Sequence, residues 1–323
     1  MRSDEMSSVL QVDNVSVCFA PSGMGLFQSK PAFLALSKIS FDLKRGETLG
    51  IVGESGSGKT TLAKTMLGLI SPATGKVTLA TDIKPQGDIQ FVFQDPLSAL
   101  NPRMTMAKLI LEPLNYLPQK LSHAERQSRL HHLIEQVGLD SAHSQRYAHE
   151  FSGGQCQRIG IARAMITRPK LLICDEPVSA LDVSIRAQIL TLLKTLQAEQ
   201  GFSLVFIAHD LSLVRYISDR LLVLYQGNMM EYGDSEAIFN QPSHPYTEAL
   251  LRAEPKPDPD DVVQWDTDLL AGAEPTDTQV GCLYQPRCRY ARPDCAVKTP
   301  LAQQLATGVQ IQCHYPLAER VSL

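Results

Sequence analysis

Short runs of apolar residues alternate along the chain with stretches of helical periodicity. The runs at residues 49–52, 171–174 and 204–208 are continuously apolar, which is typical of strands buried on both faces of a parallel sheet. Residues 9–19 and 39–43 predict two earlier strands. The alternation therefore predicts an α/β fold in which helices pack around a mostly parallel sheet.

Two longer segments depart from this alternation. Residues 20–31, between the two early strands, contain proline, glycine and serine and predict a loop. Over residues 104–138 the polarity and the period become helical, and Pro113 and Pro118 break the pattern. We therefore expect a helical subdomain at about residues 96–165, inserted into the α/β fold.

The composition changes near the end of the chain. Residues 254–261 are acidic and rich in proline, which is typical of a stiff linker that cannot form a core. Four of the seven cysteines follow this segment. We expect a main domain at residues 1–250, a linker at residues 251–280 and a four-cysteine extension at residues 281–323.

Composition narrows the class of protein. The 323 residues are 44% hydrophobic and 20% charged, as in an ordinary globular protein. A net charge of −4 gives no reason to expect nucleic-acid binding. No apolar run approaches the roughly 18 residues that a membrane span needs, and the polar residues 1–8 are unlike a signal peptide. We therefore expect a cytoplasmic chain that acts at a membrane only through partner subunits.

A glycine-rich segment follows the apolar run at residues 49–52 and precedes a helical stretch at residues 61–69. It matches the P-loop pattern, in which backbone N–H groups surround a phosphate at a helix N-terminus. Lys59 would contact the β and γ phosphates, and the hydroxyl of Thr60 would bind magnesium. A glycine-rich turn without a ligand is the alternative, which the strand–helix context disfavours. The phosphate-binding candidates are Gly53, Ser55, Gly56, Gly58, Lys59, Thr60 and Thr61.

Polar side chains follow two other predicted strands. Asp175 and Glu176 come directly after residues 171–174, at a strand end where α/β sheets bind their ligands. Asp175 is a candidate magnesium ligand, and Glu176 is a candidate general base that activates water. His209 follows residues 204–208, and we expect it to contact the γ-phosphate and the attacking water. An acidic surface turn and a structural histidine are the alternatives.

Residues 151–155, Phe-Ser-Gly-Gly-Gln, open a helix in which Ile159, Ala162 and Ile166 fall on one face. Ser-Gly-Gly at a helix start is a second arrangement suited to phosphate. Because the P-loop already serves one ATP, we expect this segment to contact ATP bound to another subunit. The alternative is an N-cap at Ser152 followed by a glycine turn. The candidates for the contact are Ser152, Gly153, Gly154 and Gln155.

This segment resembles the Leu-Ser-Gly-Gly-Gln signature of ABC ATPases, with phenylalanine in place of leucine. Other motifs of that family follow in order over about residues 8–250. Gln94 matches the glutamine loop that senses magnesium, and residues 179–182, which end at Asp182, match the D-loop that crosses the dimer interface. Phe19 lies where the family has an aromatic residue that stacks on adenine; a strand-core residue is the alternative.

The resemblance implies a fold, a substrate and a partner. Its members have a P-loop (RecA-like) core with an antiparallel β subdomain and a helical subdomain, to which this chain adds a small cysteine-bearing extension. They bind ATP with Mg²⁺, here at Thr60, Gln94 and Asp175 by resemblance. They form head-to-tail dimers in which the P-loop of one subunit and the signature of the other enclose each ATP. Closure of the dimer then drives the membrane subunits between two access states.

Residues 95–103, residues 244–250 and the tail resemble the ATPases of oligopeptide and dipeptide importers. That group implies a paralogous ATPase as the dimer partner, two transmembrane permease subunits and a substrate-binding protein. It also implies a peripheral location at the cytoplasmic face of the inner membrane. An importer of nickel, glutathione or another small solute is the main alternative, because the ATPase does not touch the cargo. A soluble ABC protein and a P-loop kinase fit the motifs less well.

The four cysteines of the tail form one further candidate site. The tail cysteines are separated by five, six and seventeen residues, which fits poorly with the close pairs of zinc sites. The importer group implies a 4Fe–4S cluster there, and zinc and reduced thiols are the alternatives. We expect Cys156 and Cys174 to pack in the interior, and the histidines other than His209 to lie exposed. The tail cysteines are Cys282, Cys288, Cys295 and Cys313.

Overall fold

Two sheets organise the chain. A computed structural model describes residues 8–19, 33–253 and 280–317; the predicted loop at residues 20–31 and most of the predicted linker lie outside them. The strands are β1 (Ser8–Phe19), β2 (Phe33–Lys44), β3 (Thr48–Val52), β4 (Thr74–Leu79), β5 (Ile89–Val92), β6 (Leu171–Asp175), β7 (Ser203–Ile207), β8 (Arg220–Tyr225), β9 (Asn228–Asp234), β10 (Gln303–Gln304) and β11 (Gln310–Ile311). All five runs that predict strands are confirmed, with ends shifted by a few residues.

Ten helices connect the strands within the described residues. They are α1 (Lys59–Met66), α2 (Pro85–Asp88), α3 (Pro96–Ala99), α4 (Met106–Leu111), α5 (His123–Gln136), α6 (Gly153–Met165), α7 (Val183–Gln200), α8 (Leu211–Ile217), α9 (Ser235–Asn240) and α10 (Pro245–Arg252). Short 3-10 helices occupy Glu112–Asn115, Ser141–His143, Ala148–Glu150, Gln285–Arg287 and Pro293–Ala296. None of the helices in the described part of the chain is long and apolar enough to cross a membrane.

The central sheet has eight strands in the order β10-β11-β9-β8-β3-β7-β6-β5. Its middle is parallel, since β3 pairs in parallel with β7 and β8, and β6 pairs in parallel with β5 and β7. The strand β9 is antiparallel to β8, and β11 is antiparallel to β9. The carboxyl ends of β3, β5, β6 and β7 therefore meet at one edge of the sheet, where α/β folds bind their ligands.

The parallel strands are mostly apolar because both faces of the sheet are covered. On β6, Leu171 and Ile173 face the side of the sheet that packs against β1, β2 and α1. Leu172 and Cys174 face the opposite side, which packs against α6, α7 and α8. All four side chains are fully buried, so Cys174 acts as a small apolar core residue, as expected.

The remaining parts cover this sheet. The strands β2, β1 and β4 form a three-stranded antiparallel sheet in that order, as the family resemblance implies. Between β5 and β6 the described structure is helical, from α3 to α6, and Ile159, Ala162 and Ile166 are buried on one face of α6 and its C-cap. In the C-terminal extension, Ile311 of β11 pairs with Glu231 of β9, so the extension adds strands to the edge of the central sheet. No sequence pattern predicted this pairing.

Candidate functional site

The glycine-rich loop joins the end of β3 to the start of α1 through a backbone path that other residues disfavour. Gly53 has φ 151°, and a methyl group added to it would lie 2.1 Å from the carbonyl oxygen of Leu224. Gly58 has φ 100°, and a methyl group there would lie 2.8 Å from the carbonyl oxygen of Ala35. Such positive φ angles and close approaches are the reason for glycine at these positions. The shape of this loop therefore requires glycine at both positions.

Lys59, the first residue of α1, folds back over the loop. Its Nζ donates hydrogen bonds to the carbonyl oxygens of Gly53 at 2.8 Å and Glu54 at 2.9 Å. The residue is only 7% exposed, and burial lowers the pKa of the ammonium. The charges of Glu176, Asp175 and Glu54 oppose that shift in pKa. The ammonium is thus held beside the loop, where incoming phosphates would exchange for its carbonyl partners.

Asp175 and Thr60, two of the predicted magnesium ligands, lie together. Asp175 ends β6, is 6% exposed and hydrogen-bonds the side chain of Thr60. Burial raises the pKa of the Asp175 carboxyl, and the nearby Lys59 charge acts in the opposite direction. A buried carboxylate beside a hydroxyl is a set of hard oxygen donors that suits Mg²⁺. Thr60, Ser55 and Gly56 are exposed along the loop, so a ligand could reach them.

The three predicted catalytic residues lie together, with Glu176 between the other two. Its Oε2 accepts a hydrogen bond from Nε2 of Gln94 at 3.0 Å and lies 3.4 Å from Nδ1 of His209. These residues follow β6, β5 and β7, so the parallel sheet brings their side chains together at its carboxyl edge. Glu176 also has φ 49°, an uncommon angle for this residue, and its N–H donates to the carbonyl oxygen of Ile207 at 2.9 Å. A carboxylate oriented by an amide and an imidazole is suited to accept a proton from water.

The Ser-Gly-Gly segment lies elsewhere. Ser152 is the N-cap of α6, where its Oγ accepts from the N–H of Gln155 and its own N–H donates to that side chain at 2.9 Å. The N-cap interpretation is thus correct at the level of local structure. Gly153 and Gly154 lie beside Leu181 and Ile185, next to the predicted D-loop. Among the described residues, neither Ser152 nor Asp182 hydrogen-bonds the P-loop of its own chain.

Two other predicted residues lie exposed at the ends of elements. Phe19 ends β1 opposite Phe33 of β2 and is 42% exposed. It is not a core residue, which was the alternative. Asp182 immediately precedes α7 and is exposed, without a side-chain capping bond. Thr61, in the first turn of α1, is half-buried.

Sequence reasoning missed an arginine that braces the D-loop. Arg186, on the first turn of α7, donates to the carbonyl oxygen of Leu181 at 2.8 Å and to that of Ser179 at 3.3 Å. It also pairs with Asp210, the residue after His209, at 3.7 Å. The D-loop and the histidine loop are therefore held by one side chain. Its position four residues after Asp182 was the available signal.

The expectation that the other histidines lie exposed is wrong for His244. This residue is 1% exposed and precedes α10, where its Nδ1 accepts the N–H of Tyr246 at 2.9 Å. Burial lowers the pKa of its imidazole to about 4. His244 packs under the C-terminal extension, 6.1 Å from the ring of Tyr284, and such a long-range contact is not visible in the local sequence.

The four tail cysteines line one small cavity, together with His244, Tyr284, Tyr290, His314 and Tyr315 among others. None of them forms a disulfide. Burial raises the pKa of the Cys313 thiol to about 12, and the nearby thiols of the other three act in the same direction. Within residues 8–19, 33–253 and 280–317, no three His, Cys, Asp or Glu side chains are arranged to hold a metal ion. Cys156 is fully buried at the start of α6, as expected.

Two segments of the chain match known protein families. Residues 36–179 match the ABC transporter family model, and residues 230–295 match the model of the oligopeptide/dipeptide transporter, C-terminal region. The chain is 47% identical to the oligopeptide transport ATP-binding protein OppF of Haemophilus influenzae, over 92% of this chain and 94% of that protein. It is 46% identical to OppF of Escherichia coli, over 91% and 92% of the two chains.

Solved structures of similar fold include a dimeric, post-hydrolysis state of the ATP-binding cassette MJ0796 bound to ADP and Pi. That match has a TM-score of 0.60 and 28% identity, over 70% of this chain and 98% of the other. CbiO1 from Clostridium perfringens matches with a TM-score of 0.62 and 26% identity, over 72% and 91% of the two chains. The chain belongs to the ATP-hydrolysing subunits of ABC transporters, in the group that carries the oligopeptide/dipeptide transporter C-terminal region.

Proposed function

We propose that this chain hydrolyses ATP to power the import of oligopeptides by a membrane transporter. The observation that carries the proposal is the meeting of Gln94, Glu176 and His209 beside a P-loop whose lysine is already folded over it. The similarity to OppF proteins over nine-tenths of the chain supports peptides as the cargo. The transporter, rather than this subunit alone, would be the unit that moves the peptide.

The proposed division of labour follows the positions of the side chains. Glu176 is the general base, Gln94 and His209 orient it and the attacking water, and Lys59 binds the β and γ phosphates. Thr60, Gln94 and Asp175 would hold Mg²⁺, which would neutralise charge on the phosphates. The backbone of the P-loop, with Thr61, surrounds the phosphates, and Phe19 stacks on the adenine.

The proposed domain boundaries are residues 1–250 for the ATPase domain, with its helical subdomain at about 96–165, residues 251–280 for a linker and residues 281–323 for the extension.

A head-to-tail dimer with a paralogous ATPase completes the proposed site. The signature segment from Ser152 to Gln155 and the neighbouring Asp182 are exposed or half-buried, so they are accessible to a partner's ATP. The dimeric MJ0796 structure supports a dimer in general. Two permease subunits would hold the dimer at the cytoplasmic face of the membrane, with a substrate-binding protein on the other side. Tagged Glu176→Gln protein, purified from native membranes with ATP, should bring these subunits along; a chain recovered alone would contradict this part of the proposal.

Uptake by whole cells tests the cargo. Cells in which Lys59→Ala replaces the wild-type chain should lose uptake of a labelled tripeptide, because the P-loop can no longer bind the phosphates productively. Lys76→Ala is the matched control, because Lys76 is exposed on β4 away from the loop, and it should leave uptake unchanged. Labelled nickel and glutathione are measured in the same cells. Loss of nickel or glutathione uptake with normal tripeptide uptake would contradict the peptide assignment.

We further propose that the four tail cysteines hold a 4Fe–4S cluster. Four thiols around one cavity supply the Cys₄ ligand set of such clusters, and a cluster accepts thiolates spread over several irons rather than gathered on one ion. A bound cluster would keep the thiols deprotonated and tie together the loops of the extension.

Metal analysis of full-length protein purified without oxygen tests the cluster. We expect four irons and four acid-labile sulfides per chain, with visible absorption that Cys313→Ser diminishes. Cys18→Ser is the matched control, because Cys18 is exposed on β1, far along the chain from the extension. Protein with one zinc per chain, or with no metal, would contradict this proposal and leave the ATPase assignment intact.

A further inference from the structure

One P-loop residue, Glu54, is held from two sides by the C-terminal part of the chain. The N–H of Glu54 donates a hydrogen bond to the hydroxyl of Tyr246 on α10 at 3.0 Å. Its carboxylate accepts two hydrogen bonds from Arg287, at 2.9 Å from Nη1 and 2.8 Å from Nη2. This is the bidentate arrangement that makes arginine–carboxylate pairs strong and directional. The loop that would bind ATP is therefore joined to the extension by a specific contact.

Arg287 is itself fixed in place. Its side chain is 13% exposed, and its guanidinium lies 5.8 Å from the ring centre of Tyr225 and 5.7 Å from that of Tyr284. The residue ends the 3-10 helix Gln285–Arg287, in which its N–H donates to the carbonyl oxygen of Tyr284 at 3.1 Å. An arginine side chain that is 13% exposed and lies between two aromatic rings on a short turn has few other positions available. Its pairing with Glu54 is thus a built feature rather than a chance surface contact.

The pairing matters because of where the Glu54 charge lies. Glu54 is one of three carboxylates whose charge acts on Lys59, the residue that would bind the β and γ phosphates. An unpaired Glu54 carboxylate would compete with the phosphates for Lys59 and would repel them directly. Arg287 offsets that charge at a distance of one hydrogen bond.

We propose that Arg287 is a positioning residue for ATP binding. By pairing with the Glu54 carboxylate, Arg287 keeps the P-loop able to accept phosphate. The extension thereby sets the affinity of the ATPase domain for its nucleotide. This inference rests on the proposed role of the P-loop and of Lys59. It adds a residue that lies 233 positions from Glu54 in the sequence and outside every P-loop motif.

Equilibrium binding of a fluorescent ATP analogue with Mg²⁺ to the full-length chain tests this inference. Arg287→Gln should weaken binding about three- to tenfold, because it leaves Glu54 charged and unpaired near the phosphates. Glu54→Gln should bind at least as tightly as wild type. The double variant, Glu54→Gln with Arg287→Gln, should recover wild-type affinity, since it removes both charges. Recovery in the double variant would also show that the fold persists without the Arg287 guanidinium.

Arg289→Gln is the matched control. Arg289 lies two residues further along the same segment and pairs with Glu248 of α10 at 3.0 Å, without contacting the P-loop. It should keep wild-type affinity. The inference is overturned if Arg287→Gln binds like wild type, if Arg289→Gln weakens binding equally, or if the double variant is not restored. Lys59→Ala, measured in the same assay, distinguishes a failure of this inference from a failure of the proposed function. Wild-type ATP binding by that variant would contradict the P-loop assignment itself.

Discussion

Acid should weaken this fold through one buried histidine. His244 is 1% exposed, and its Nδ1 accepts the N–H of Tyr246 at the start of α10. Protonation would place a charge in this buried position and remove the acceptor. Burial accordingly lowers the pKa of the imidazole from 6.5 to about 4. The unfolded chain therefore binds a proton at higher pH than the folded chain does.

The sign and the size of the effect follow from linkage. The stability associated with the neutral imidazole is fully present above pH 6.5 and is lost as the pH falls from 6.5 to about 4. A pKa difference of about 2.5 corresponds to about 3.4 kcal/mol once both states are protonated, at 1.36 kcal/mol per pKa unit. Between pH 7 and pH 5 the same two pKa values give a loss of about 2 kcal/mol in the free energy of unfolding.

Urea denaturation at pH 7 and pH 5 measures this loss. His244→Asn keeps a side-chain acceptor for the Tyr246 N–H but cannot titrate, so its free energy of unfolding should fall about 2 kcal/mol less than that of wild type over this range. His132→Asn is the matched control, because His132 is exposed on α5, and it should follow wild type. Equal losses for wild type and His244→Asn would refute the reasoning.

Two other substitutions test the nucleotide site. Gly58→Ala should weaken ATP binding about tenfold or more, because it forces an L-residue to φ 100° and brings a methyl group to 2.8 Å from the carbonyl oxygen of Ala35. Gly160→Ala in α6 is the control and should bind ATP normally, because a methyl group there meets nothing within 4 Å. Equal ATP affinity of the two variants would contradict the strain argument. Ser152→Arg should abolish ATP hydrolysis by the assembled transporter while the isolated full-length chain still binds ATP. Loss of binding by the isolated chain would mean that Ser152 serves its own site.

Local sequence patterns predicted the structure where the cause of the pattern, the burial of a strand or the backbone angles of one loop, acts within a short segment. The strand β6 is apolar at every position before Asp175 because two packed layers cover it, so its sequence pattern follows directly from its burial. The P-loop glycines are likewise required by the backbone angles of their own turn. The sheet then places Gln94, Glu176 and His209 together, because parallel strands end at the same edge.

Contacts between distant segments were not predictable in the same way. The hydroxyl of Tyr246 is 192 residues from Glu54, and nothing in residues 244–250 indicates that it faces the P-loop. The burial of His244 likewise depends on the extension that covers it. The pairing of β11 with β9 involves only two residues of β11, too few to give a strand period. In each case the physical cause is tertiary packing, which a single sequence does not encode locally.

The most direct test of the proposed function is ATP turnover by the complete transporter with Glu176→Gln in this chain. The glutamine keeps the size of the side chain and the contact with Gln94 but cannot accept a proton from water. We expect nucleotide binding to remain and hydrolysis at this chain's site to fall about 10²- to 10⁴-fold. Turnover at the wild-type rate would contradict the assignment of Glu176 as the base, and with it the central role of the carboxylate that joins Gln94 to His209.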